Sequence, residues 1–360
     1  GGTPGFQVLE SGPARVSLGV TRFNAGSAFT ERIRLAGGGA GDRVEWDVSV
    51  NWGTRQTLLK VVFPLSVANS NATFDLGLGT IQRPNRTSSL YESPAQQWAD
   101  LTSASGDYGV TIMNDSRYGW DKPDDNTLRL TVMHTPAVGG SFVYQANDGI
   151  GSHRLSLAVM GHTNDWRCGQ SPWVAARLNQ PLQAFQTLPH SGTLGKSFSF
   201  LACNNSNVMV KALKKAEDSN EIVVRLQELA GQPQTAQLSF ATAILTARQV
   251  TGAEDAITSL SPSGGVLNVS LGAYQPMTLA LTLAAPGSSV TRPTSAPIAL
   301  PFNLDAISRD SNWTDGNFDN GYTYPGELMP SSIVRDGIPF LLGPGNDGAN
   351  NPLSCQAQPI

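Results

Sequence analysis

Charge is scarce in this 360-residue chain. Asp, Glu, Lys and Arg make up only 14% of it, against about a quarter in an ordinary globular domain. Ser, Thr, Asn and Gln must therefore supply most of the surface polarity. Neither sign dominates, since the formal net charge is -4. That balance argues against nucleic-acid and anionic-membrane partners, which need clustered Lys and Arg. Long apolar runs are also missing, and none approaches the roughly 18 residues of a membrane span. The opening Gly1-Gly2-Thr3-Pro4-Gly5 has no basic stretch followed by an apolar core. It reads as a loop rather than a signal peptide, as in a chain that starts inside a longer precursor.

Metal-binding and redox patterns are equally thin. The three cysteines, Cys168, Cys203 and Cys355, lack the close paired spacing of a zinc site. Cys168 and Cys203 are either a disulfide pair or two thiols. The four histidines, His134, His153, His162 and His190, have no ligand spacing, and no His-x-Asp motif occurs. Helical periodicity is confined to the stretch from Ala175 to Gln186, which Pro181 interrupts. No strand–helix–strand rhythm recurs, which excludes a doubly wound sheet and a TIM barrel.

What the chain does have is alternation. Val44, Trp46, Val48, Val50 and Trp52 share one face of an extended segment, and Glu45, Asp47, Ser49 and Asn51 share the other. That is the pattern of a half-buried strand. Similar runs are Val16-Leu18-Val20, Leu128-Leu130-Val132, Leu155-Leu157-Val159, Ile222-Val224-Leu226, Leu267-Val269-Leu271 and Met277-Leu279-Leu281. Turn-forming clusters of Gly, Pro, Asn and Asp separate them. The fold class expected is all-β: large antiparallel β-sandwich domains followed by a partial jelly-roll segment. The expected divisions are a large sandwich over 1–205, a smaller one over 206–284, a Pro/Ser/Thr linker over 285–297 and a tail over 298–360.

Four segments carry a more specific signal. Trp52 to Val67 reads WGTRQTLLKVVFPLSV. Tyr91 to Pro136 contains Gln97-Trp98-Ala99-Asp100-Leu101, Gly109-Val110, Asn114-Asp115 and Tyr118-Gly119-Trp120-Asp121. Gly161 to Trp166 reads GHTNDW. Val210 to Glu228 reads VKALKKAEDSNEIVVRLQE. In order and spacing these resemble glycoside hydrolase family 38, the α-mannosidases, in the region C-terminal to the catalytic barrel. The resemblance spans roughly residues 10–284. It implies retaining hydrolysis of mannose-containing glycans by two carboxylic acids, assisted by zinc. It also implies that the acids and the zinc ligands belong to a barrel-containing portion outside this chain, so that the chain alone is inactive.

Within that frame, the loop after Met113 is the candidate for a sugar-facing rim. Asp115 and Asp121 would accept hydroxyl hydrogen bonds, Arg117 would grip a carboxylate or hydroxyl, and Tyr118 and Trp120 would stack on a sugar face. The plain alternative is a turn closed by an Arg117–Asp121 ion pair. His162 is either a rim residue or a buried histidine tied to Asp165 or backbone. Lys60, Trp98 and Asp100 read as core and cap residues. Lys211, Lys214 and Lys215 with Glu217 and Asp218 read as a solvated strand end.

The tail is similar to the opening half of a galactose-binding-type jelly roll, through Leu300-Pro301-Phe302-Asn303-Leu304-Asp305, Asp315-Gly316-Asn317-Phe318-Asp319 and Tyr324-Pro325-Gly326-Glu327. Asp305, Asp315, Asn317, Asp319 and Asp347 are oxygen donors of the kind calcium prefers, or Asx turns capping their own backbone. Glycosylation sequons at Asn71, Asn85, Asn114, Asn204, Asn268 and Asn312 suggest an extracellular or secretory-lumen protein. The reading from a different class is a stand-alone carbohydrate-binding or structural sandwich protein.

Overall fold

A computed structural model describes residues 3–188, 192, 194, 197–286, 300–309, 311, 316, 318–335, 338–345 and 348–351. The chain forms two compact units, Gly1–Pro286 and Gly287–Ile360.

The first unit holds two β-sandwiches. Thirteen strands build the larger one: β1 (Gly5–Ser11), β2 (Arg15–Asn24), β3 (Ser27–Ala36), β4 (Val44–Trp52), β5 (Thr57–Pro64), β6 (Asn71–Asp75), β7 (Thr80–Pro84), β8 (Ser93–Pro94), β9 (Trp98–Thr102), β10 (Tyr108–Asn114), β11 (Gly119–Asp124), β12 (Thr127–Thr135) and β13 (Gly151–Thr163). Nine of them form one antiparallel sheet in the order β1-β2-β3-β4-β13-β10-β9-β6-β7, and the other four face it as β5-β12-β11-β8. Strand alternation fills the space between. Val50 and Trp52 point inward from β4, Leu128 and Leu130 from β12, and Leu155 and Leu157 from β13. The indole of Trp52 donates to Thr135 Oγ1 at 2.8 Å, so its one polar atom is satisfied inside the core.

The opposite faces of β9, β10 and β13 bury a second apolar layer. Trp98, Met113, Ala158 and Met160 meet Trp166, Val174 and Ala175 there. The last two belong to α1 (Ser171–Asn179), which lies on the outside of the large sheet. Pro172 occupies the first turn, where its missing N–H costs nothing, and the helix stops before Pro181. The helix thus begins earlier than the expected stretch and ends where Pro181 requires.

The smaller sandwich has β14 (Leu201–Cys203), β15 (Val208–Lys215), β16 (Ile222–Glu228), β17 (Gln234–Phe240), β18 (Ile244–Val250), β19 (Ala256–Leu260), β20 (Leu267–Leu271) and β21 (Pro276–Leu283). Five strands in the order β15-β16-β21-β18-β19 face three in the order β14-β17-β20. Val224, Leu226, Leu238, Leu267, Leu279 and Leu281 form its core. In the second unit, β22 (Ile307–Ser308) pairs parallel with β23 (Tyr324–Pro325), and β24 (Ser332–Arg335) pairs antiparallel with β25 (Ile338–Leu341). The carboxamide of Asn351 is buried there and accepts from Ala306 N at 2.8 Å.

Asp100, fully buried on β9, ties three strands of the large sheet to α1. Thr102 Oγ1 donates to its Oδ1 at 2.6 Å. Its Oδ2 accepts from Thr111 Oγ1 of β10 at 2.7 Å and from His162 Nε2 of β13 at 2.6 Å. Thr111 is in turn 2.6 Å from the hydroxyl of Ser171, the first residue of α1. The imidazole fits because two glycines flank it. A Cβ on Gly109 would stand 2.5 Å from His162 Cε1, and one on Gly169 would stand 2.7 Å from His162 Cγ. His162 is therefore held by Asp100 rather than by Asp165, whose carboxylate binds Arg167 at 2.6 Å.

Burial pushes the His162 pKa down, but the hydrogen bond and charge of Asp100 outweigh it, so the pKa is raised above its ordinary 6.5. Its Nδ1 also faces an acceptor, the Thr163 carbonyl at 3.4 Å, so the doubly protonated ring satisfies both sides. A raised folded-state pKa gives stability that is fully present below the unfolded value and lost as pH rises through the folded one. The melting temperature is therefore expected to fall as pH rises above about 6.5. In His162→Gln that slope should flatten, as read by circular dichroism; an unchanged slope would refute the assignment. Leu130→Ala and Leu238→Ala, one in each sandwich core, should each cost about 2–5 kcal/mol in denaturant titrations.

Candidate functional site

The outer face of the small sheet of the large sandwich collects most of the polar chemistry near the expected rim. On β5, β11 and β12 every second residue points away from the core, which sets Lys60, Asp121, Arg129 and Thr131 side by side. Asp121, with a side chain 2% exposed, is held by Lys60 on one oxygen and by Arg129 Nε at 2.6 Å on the other. Lys60 also reaches Glu92 at 2.6 Å, and Thr131 donates to the same carboxylate. Burial pushes the Glu92 carboxyl up, but Lys60 and Thr131 outweigh it and hold it below the usual range. A general acid must be protonated at working pH. Glu92 is held in the opposite state, and both oxygens of Asp121 are covered by cations. The cluster is an ion-pair lattice across three strands and the segment before β8, not an acid–base pair.

The rim loop divides. Asp115 is exposed and Tyr118 is 53% exposed. Arg117 is half-buried, and its guanidinium is spent on the Val132 carbonyl at 2.8 Å and the Ser116 carbonyl at 2.9 Å. The local Arg117–Asp121 ion pair is not made, because each side chain has nearer partners. Trp120 is fully buried in the sandwich core, Asp121 lies under Lys60 and Arg129, and the His162 side chain is 3% exposed. All three are corrected from exposed candidates: strand alternation turns Trp120 into the core, the Asp100 bond buries His162, and Asp121 stays on the outer face but is covered by Lys60 and Arg129. Sequence reasoning did not single out Glu92 or Arg129. Their roles depend on cross-strand register, and no local spacing announces them.

Asn114 is likewise corrected as a glycosylation candidate. Its side chain is buried, with Oδ1 accepting from Ser116 N at 3.1 Å and Arg117 N at 2.6 Å. Asn71, Asn204 and Asn268 are exposed. Asn85 is half-buried, with its amide on Asp125 at 2.6 Å, and Asn312 lies outside the described residues. Cys168 and Cys203 are free thiols, not a disulfide, and Cys355 is outside the described residues.

Among the described residues, no group of three or more His, Cys, Asp or Glu side chains is placed to hold a metal. These donors do not fit the zinc that the resemblance implies. For the calcium candidates, Asp315, Asn317 and Asp347 lie outside the described residues, as does the side chain of Asp319. Asp305 is buried and accepts from Asn351 Nδ2 at 3.1 Å. No helix among the described residues is long and apolar enough to cross a membrane.

A second polar site lies where the sandwiches meet. Glu228 at the end of β16 is fully buried and accepts backbone N–H bonds from Ala230, Gly231, Gln232 and Tyr274, at 2.7, 2.8, 3.3 and 2.8 Å. This sets Tyr274, at φ +55°, so that its hydroxyl is 2.7 Å from Thr80 Oγ1 in the large sandwich. Gln227 Nε2 donates to the Gly77 carbonyl at 2.8 Å, and Trp173 Nε1 to the Ser206 carbonyl at 2.6 Å. Between these contacts a cavity of about 140 Å³ is lined by Asp75, Gln97, Lys211, Gln227 and Tyr274, among others. Burial pushes the Asp75 carboxyl up, against the opposing pull of the Gln97 and Gly77 N–H groups and the Lys211 charge.

Comparison with known proteins places these features. Residues 3–138 match the family described as glycosyl hydrolases family 38 C-terminal domain, and residues 207–279 the family 38 C-terminal beta sandwich domain. Residues 294–360 match an AziU2-like beta-sandwich domain; the galactose-binding-type jelly roll expected there is not the match obtained. Alpha-mannosidase 2C1 of Mus musculus is 29% identical over 197 residues, covering 52% of this chain and 18% of that protein. Alpha-mannosidase G of Dictyostelium discoideum is 25% identical over 210 residues, covering 56% and 18%. In fold, an alpha-mannosidase from Enterococcus faecalis V583 matches 78% of this chain and 35% of its own, with a TM-score of 0.65 at 16% identity. The chain thus spans under a fifth of the length of these curated relatives. With its two family 38 matches together covering more than half of it, the chain belongs to glycoside hydrolase family 38 and represents that family's C-terminal β-sandwich region.

Proposed function

We propose that this chain is the non-catalytic C-terminal part of a zinc-dependent, retaining α-mannosidase-like hydrolase, where it buttresses the catalytic portion and contributes to the wall of the sugar cleft. The relatives in the comparisons are alpha-mannosidases, and most of their length lies outside the part matched here. The observation that carries the reading is an unfinished interior. Nine strands face four, and β5 is the end strand of the smaller sheet. Beyond β5, the large sheet overhangs an open cleft of about 540 Å³ walled by Phe29, Trp46, Val48, Leu59, Val61 and Phe63. At the margin of this cleft, Val62 is 52% exposed. An open strand edge beside an apolar cleft is a surface that soluble proteins keep covered. The barrel-containing portion of the enzyme is the proposed cover.

In this reading the nucleophile, the acid and the zinc all reside in that portion, and the substrate is a mannose-containing glycan. Asp115 and Tyr118, exposed at the end of the small sheet, are the side chains proposed to face the sugar, with Arg117 bracing the loop between them. The exposed sequons at Asn71, Asn204 and Asn268 support a secretory or extracellular setting.

Two measurements test this. Mannosidase activity on a nitrophenyl α-mannoside, and zinc by elemental analysis, should track the barrel-containing portion. The 360-residue chain should give neither, and robust turnover by it alone would refute the reading. Val62→Asp, at an exposed position on the cleft margin, should leave its circular dichroism intact yet weaken association with the barrel portion in native mass spectrometry. Unchanged association would remove the cleft as the docking face.

A further inference from the structure

We infer that the cavity between the two sandwiches is a binding site for one hexopyranose ring of a glycan. The site stands on chemistry and position. Junctions between domains are favoured places for ligand pockets, and this one is fixed by the Tyr274–Thr80 and Gln227–Gly77 hydrogen bonds. Its volume of about 140 Å³ is roughly ten times what one water requires. Asp75 spends one lone pair of each oxygen on backbone, with Gly77 N at 2.8 Å and Gln97 N at 2.9 Å. Each oxygen keeps a second lone pair for a donor. Lys211 lines the same cavity from the other sandwich, and among the described residues it has no ion-pair partner.

The two opposite charges face one space without meeting, which selects the ligand. An anion would be repelled by Asp75 and a cation by Lys211. A hydroxyl suits both, since it donates to the carboxylate while accepting from the ammonium. Gln227 adds a buried acceptor: its Nε2 is satisfied, but its Oε1 has no partner among the described residues. An unsatisfied buried acceptor is a cost that a donating hydroxyl relieves. Beside the polar Thr80, Gln96 and Gln97, the wall carries Trp98, Met209, Leu229 and Tyr274, which offer an apolar surface to the C–H face of a pyranose. Tyr274 adopts a left-handed backbone at φ +55°, a strain that a side chain bears where the surrounding structure imposes it. Gly231 keeps room for the ring, because a Cβ there would stand 2.6 Å from Tyr274 Cζ.

The test uses the full 360-residue chain without any catalytic portion, so its result is independent of the proposed enzymatic role. Methyl α-mannopyranoside, methyl α-glucopyranoside and methyl α-galactopyranoside are titrated by saturation-transfer NMR, with glycerol as the small-polyol control. At least one pyranoside is expected to bind saturably. Lys211→Met, at an exposed position, should weaken that binding about tenfold or more, and Asp75→Asn should do the same. Should Asp75→Asn fail to fold, Lys211→Met and Lys211→Glu still decide. No saturable pyranoside binding by folded protein would overturn the inference. So would binding untouched by the Lys211 variants, or equal response to glycerol.

Discussion

One buried carboxylate governs how the first unit is assembled. Glu228 gathers four backbone N–H groups from two loops of the small sandwich. A carboxylate taken out of water is tolerated only when its lone pairs are met, so the loops at Ala230–Gln232 and at Tyr274 cannot move independently. What they present to the large sandwich follows from that. The Tyr274 hydroxyl meets Thr80, and the Ala230 carbonyl accepts from Arg167 Nε at 2.7 Å. The two sandwiches therefore meet through oriented polar contacts, which fix angle as well as distance, and the polar cavity between them is a consequence of that geometry.

Asp100 does the corresponding work inside the large sandwich, with side-chain donors instead of backbone ones. Thr102, Thr111 and His162 come from three adjacent strands, and Ser171 extends the chain of hydrogen bonds to α1. The helix covers the outer face of the large sheet over β9, β10 and β13, while the small sheet covers the inner face only in part. In the proposed reading the part of the inner face left open beyond β5 is the functional one.

Much of the fold was legible from alternation alone. Trp52, Leu130, Leu157, Leu226, Val269 and Leu279 all point into sandwich cores, because a strand with one buried face must repeat every second residue. The family was legible from contiguous motifs such as Gln97 to Leu101 and Tyr118 to Asp121. The candidate site was less so, and the reason is physical. A motif names residues without saying which face of a strand each takes. Trp120 and Asp121 are neighbours in sequence, yet one fills the core and the other joins the surface lattice with Lys60 and Arg129. His162 sits beside Asp165 in sequence, but its partner, Asp100, is 62 residues away and arrives through the register of β9, β10 and β13.

The same limit explains why the junction cavity has no signature in the chain. Asp75 ends one strand of the large sandwich, while Lys211 and Gln227 lie on strands of the small one and Tyr274 on its loop between β20 and β21. Lys211, Lys214 and Lys215 with Glu217 and Asp218 read as a solvated strand end. Lys214 follows that reading, pairing with Glu217 and, at 2.8 Å, with Glu254. Lys211, three residues earlier, faces a carboxylate across a cavity instead. Strand alternation cannot separate the two roles. What separates them is the docking of the second sandwich, which Glu228 at the end of β16 fixes.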